Sequence, residues 1–67
     1  MSMVVLASSR IAAEDAAEVL SRESFSAEAG TVGGEWFVLV DGEEIDSAVA
    51  VAHVRRADPG CRLVTAW

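Results

Sequence analysis

The run Glu35-Trp36-Phe37-Val38-Leu39-Val40 constrains this chain more than any other segment. Aromatic and β-branched residues dominate it, which suits a pleated strand and disfavours a turn. A strand with one wet face alternates apolar and polar residues, and this one does not, so both of its faces need cover. Alternation sends Trp36, Val38 and Val40 to one side and Phe37 and Leu39 to the other. Such a strand belongs inside a sheet rather than at its edge.

A second apolar run, Met3 to Ser8, behaves the same way, with Val4 and Leu6 on one side and Met3, Val5 and Ala7 on the other. It stops at Ser8-Ser9, either of which can cap the alanine-rich segment that follows. Over residues 10–22, Ala13, Ala16, Ala17 and Leu20 share one helical stripe, while Glu14, Asp15, Glu18 and Arg22 fall largely elsewhere. Residues 25–29 alternate as a half-exposed strand does, and Gly30-Thr31-Val32-Gly33-Gly34 is a connector of hairpin length. Residues 61–67 read as a closing strand.

Residues 41–57 admit two readings. As a helix, Asp41 is the N-cap and Glu44 stands at N3 in an acidic capping box. Glu43, Glu44 and Asp46 occupy the first turn and Arg55 and Arg56 the last, the order the helix dipole favours. Ile45, Ala48, Val49 and Ala52 then form the buried stripe, and Asp58-Pro59-Gly60 stops the helix. The rival reading makes Asp41-Gly42 a hairpin turn and Ala48 to Val54 a strand. The helix is preferred because its ends and its stripe agree with one another.

The expected order is therefore β-α-β-β-α-β: an α+β, ferredoxin-like sandwich over residues 1–67. A four-stranded antiparallel sheet carries two helices on one face, with the first and third strands inside. ACT-type regulatory modules share this element order, although no motif accompanies the likeness, and the fold hosts many unrelated functions.

At 67 residues the chain is near the lower limit for building its own core. Cys61 is the only cysteine, so an internal disulfide is impossible, and His53 and Cys61 alone cannot complete a zinc site. That leaves association with another chain as the expected support. Net charge is −6, with eleven acids against five scattered arginines and no lysine, which disfavours ordinary nucleic-acid binding. The first residues lack a basic n-region, and no run approaches the roughly 20 apolar residues that cross a bilayer. With one unpaired cysteine, the expected location is cytoplasmic. Abundant alanine, valine and glycine suggest a high-GC bacterial source.

Chemistry-bearing residues are few. His53 reads as a boundary residue near a helix end, and Cys61 as a small buried hydrophobe. Ser8 and Ser9 read as caps. The glycines at 30, 33 and 34 lack the lysine and following helix of a phosphate loop. The acids at 43, 44 and 46 lack the alternating ligands of a calcium loop. Trp36 and Trp67 carry no RNA-binding aromatic pattern. No enzyme, cofactor or metal is expected.

One sheet face must then be open, and strands apolar on both sides must put large side chains on it. Either that patch is hidden by the glycine connector or by Trp67, or it is a binding surface. The expected role is a non-enzymatic interaction or regulatory domain that forms a homodimer through Val4, Leu6, Trp36, Val38, Val40 and Val64. Two alternatives are a small-ligand sensor or carrier of ACT-like architecture, and an acidic inhibitor of a basic, nucleic-acid-binding partner.

Overall fold

The computed structural model describes residues 2–42 and 47–66. Its elements are β1 (Ser2–Leu6), α1 (Arg10–Arg22), β2 (Ser26–Val32), β3 (Glu35–Asp41), α2 (Ser47–Ala57) and β4 (Arg62–Ala66). The strands form one antiparallel sheet in the order β2-β3-β1-β4, so the two runs apolar on both sides are the inner strands. The protein is α+β, a four-stranded antiparallel sheet with two helices.

Helix α1 begins and ends where its local chemistry dictates. Ser9 is the N-cap, its hydroxyl accepting from the Ala12 N–H at 3.2 Å. At the other end Ser24 takes φ 69°, the Phe25 N–H reaches the Leu20 carbonyl and the Ser24 N–H that of Ser21. That is a Schellman closure with serine where glycine is usual. Ala13, Ala16 and Leu20 are buried, and the small alanines let the helix lie close to the sheet and to α2.

Strand β2 runs further than its alternation suggests. It continues through Gly30, Thr31 and Val32 to a two-residue turn at Gly33-Gly34. Both turn glycines have positive φ, 60° and 84°, as the hairpin turn matched to strand twist demands. The expected five-residue connector is thus mostly strand.

Residues 48–54 are helical, and the rival strand reading fails. Asp41, however, is not the N-cap of this helix. Asp41 is the last residue of β3, where its carboxylate accepts from the Ser2 hydroxyl at 2.6 Å and the Gly42 N–H at 3.0 Å. Those bonds hold its pKa below the ordinary value, the Ser2 hydroxyl most strongly. The expected contributions of Glu43, Glu44, Ile45 and Asp46 lie outside the described residues. The buried stripe also differs from expectation. Ala50, Val51 and Val54 face inward, whereas Ala48, Val49 and Ala52 are exposed.

Among the described residues, the buried apolar side chains form one cluster. Met3, Val5 and Ala7 of the first β–α passage and Val38 and Val40 of β3 meet Ala13, Ala16 and Leu20 of α1 and Ala50, Val51 and Val54 of α2. Both helices therefore cover the same sheet face. No described helix is long and apolar enough to cross a membrane.

One buried carboxylate closes this layer. Asp58 follows α2 and is 4% exposed. Its oxygens accept from the Ser8 N–H at 2.7 Å, the Ser8 hydroxyl at 2.6 Å and the Gly60 N–H at 3.2 Å. Gly60 is required by this arrangement, since a Cβ there would lie 2.6 Å from the Ser8 hydroxyl. Ser8 thus ties the β1–α1 passage to the α2–β4 passage, and Ser9 alone is the cap.

Candidate functional site

The sheet face away from the helices is read from strand alternation and register. On β1 it carries Val4 and Leu6, and on β3 Phe37 and Leu39. Val4 stands opposite Leu39 and Leu6 opposite Phe37, and directly opposed residues in an antiparallel pair share a face. The four side chains form one apolar block across the two inner strands. Leu39 is 43% exposed and the other three are half-buried.

Polar and small residues frame this block. Opposite Leu39 on β2 lies Glu28, opposite Phe37 lies Gly30, and opposite Leu6 on β4 lies Arg62. Glu35 and Asp41 occupy the ends of β3 on the same face, and Ser2 and Ser26 flank Asp41. The β2 side is therefore acidic and the β4 side carries an arginine. Among the described residues, Glu28, Glu35 and Arg62 take part in no ion pair; the two present are Arg10–Glu14 and Arg22–Glu18, both along α1. Between the block and β2 runs an open groove of about 460 Å³ lined by Val4, Glu28, Gly30, Val32, Phe37 and Leu39 among others. A Cβ on Gly30 would meet nothing within 4 Å, so no internal contact requires glycine there; its missing side chain lowers the groove floor.

Three of the six residues expected on this face lie elsewhere. Val38 and Val40 are fully buried beneath the helices, and Trp36 shares their side of β3, packed against the core. The strand is apolar on both sides, so hydropathy alone does not choose between its two phases, and the helices take Val38 and Val40. Trp36 also lies under the Arg10 guanidinium, 5.8 Å from the ring centroid, so it is no stacking platform on the open face. Val64 is exposed, but it is the extra residue of a bulge: Val4 pairs with Thr65 and Val5 with Leu63. Register against β1 therefore assigns it to neither face. Val4 and Leu6 are where they were expected, while Phe37 and Leu39 replace the other β3 residues. The signal that identifies them is register against β1, available only once the strands are paired.

The face is not covered by the glycine segment, which is spent in β2 and its turn. Trp67, the other expected cover, lies outside the described residues.

The chemistry-bearing side chains do not gather. His53 is half-buried with its ring edge-on to Phe25, centroids 6.1 Å apart. Cys61 is buried, and desolvation pushes its thiol pKa up; Asp58 adds to this, while the Arg55 guanidinium opposes it. A thiol so placed is held protonated and unreactive. No three His, Cys, Asp or Glu side chains converge on a metal position among the described residues. No protein-family model matches the chain, and no curated protein sequence matches it.

Proposed function

We propose that this chain is a non-enzymatic interaction or regulatory domain, built on the ferredoxin-like plan, that self-associates through the open face of its sheet. The observation carrying this reading is the contiguous block of Val4, Leu6, Phe37 and Leu39, left outside the core on the two central strands. Its apolar centre and charged rim have the anatomy of a protein interface. A chain this small gains from sharing such surface with a partner. The ferredoxin-like assignment is supported by the element order, the inner placement of β1 and β3, and both helices packing on one face. A cytoplasmic setting accords with the unpaired, buried Cys61.

Light scattering over a dilution series from roughly micromolar to millimolar tests the reading, because interfaces of modest size fall in that affinity range. The parent should approach twice its monomer mass at the high end. Leu39→Glu, which puts a charge at the centre of the patch, should remain monomeric while keeping the far-ultraviolet circular dichroism of the parent. A parent that stays monomeric throughout overturns the proposal. The groove beside Gly30 favours one second reading, a site for a small apolar ligand. Quenching or enhancement of a hydrophobic dye by the monomeric parent, abolished in Gly30→Leu, would support that reading in place of the first.

A further inference from the structure

Resting on that reading, we infer that the second copy docks about a two-fold axis running along the strands, with Arg62 of each copy seated over Gly30 of the other, between Glu28 and Glu35.

Register sets Gly30, Phe37, Leu6 and Arg62 side by side across β2, β3, β1 and β4. The row has a gap at one end, two large apolar groups in the middle and a cation at the other end. A two-fold axis along the strands lays this row on its own reverse. Phe37 then meets Leu6 of the second copy, and Arg62 meets the gap at Gly30. The neighbouring row, Glu28, Leu39 and Val4, likewise brings Leu39 against Val4 of the second copy. Aligned sheets pack about 10 Å apart, a gap that an arginine side chain largely spans.

Charge selects this axis over its rival. A two-fold axis across the strands would lay β2 on β2 and gather Glu28 and Glu35 of both copies along one side of the interface, where they repel, leaving both arginines at the far edge. In a molecule of net charge −6 that repulsion is unfavourable. The axis along the strands separates the acids and gives each unpaired Arg62 two unpaired carboxylates. An isologous interface makes every such contact twice. Area sharpens the point. The two longer molecular dimensions, 29 and 21 Å, bound a face of roughly 600 Å² per copy, the small end of specific interfaces. With so little apolar area, the rim charges decide the geometry.

A charge-exchange series separates this arrangement from self-association in general. Arg62→Glu should weaken the dimer by about tenfold or more, as should the pair Glu28→Arg with Glu35→Arg. Combining all three exchanges should restore dimerisation to within about threefold of the parent, because the two charge sets trade places. All positions are exposed, and matched thermal melts check that each variant folds. If the parent dimerises and Arg62→Glu dimerises equally well, or the triple variant fails to recover, the arrangement is overturned while the open-face reading stands. A monomeric parent overturns both.

Discussion

On the helix side of β1 and β3, Met3, Val5, Val38 and Val40 are at most 1% exposed. One residue along each strand, on the opposite side, Val4, Leu6 and Phe37 are half-buried and Leu39 is 43% exposed. The residue types are nearly the same on the two sides. What differs is the company: one face is closed by two alanine-lined helices and locked at its margin by Asp58, and the other, among the described residues, has only its own strands. An apolar side chain is a core residue because something is laid over it.

A pair of truncations separates the two faces by the widest margin. Met3→Ala should cost about 2–5 kcal/mol, enough to unfold much of so small a domain. Leu39→Ala should cost the monomer less than about 1 kcal/mol, since little of its area is removed from water on folding. Denaturant midpoints at a concentration below dimerisation measure both. Equal losses would mean that the open face is a second core and not a vacant surface.

Next in size is the margin of the helix side. Asp58→Ala leaves the Ser8 N–H and hydroxyl without their acceptor and should cost about 1–3 kcal/mol. The same group sets an acid dependence. Burial pushes the Asp58 pKa up, but the bonds from Ser8 and from the Gly60 N–H outweigh it, so the folded value lies below the ordinary one. Its stabilisation is therefore complete above about pH 4 and fades as pH falls through the folded value. Asp58→Asn should flatten that part of a stability–pH curve, and an unchanged slope would assign the acid loss to other carboxylates.

The smallest effect belongs to the turn that ends α1. Ser24 holds a left-handed conformation with a Cβ, so Ser24→Gly should raise stability by roughly 0.5–1 kcal/mol. A thermal melt reads the gain, and it should be indifferent to concentration because Ser24 is remote from the open face.

Legibility in the sequence followed the same divide. The span of helix α1 was readable because cap and stripe are local and agree. The inner placement of β1 and β3 was readable because two-sided apolarity has one explanation. The phase of β3 was not, for that same reason: when both sides are apolar, alternation carries no information. The stripe of α2 failed likewise, since Ala48, Val49 and Ala52 differ little in hydropathy from Ala50, Val51 and Val54. Glycine misled in β2, where Gly30 is a strand residue and only Gly33-Gly34 turn the chain. Asp58 looked like a helix stop because its partner, Ser8, is 50 residues away and no local pattern joins them.

Cys61, inert in the native state, gains a different use from its burial. It sits in the seam where α2 hands over to β4, beside the Asp58 strut. Alkylating reagents reach it only when that seam parts, so the rate of thiol labelling is a clock for local opening, set into the chain with no added probe. Against global unfolding followed by fluorescence, the clock would show whether the helices lift from the sheet as one unit or peel away from this corner first.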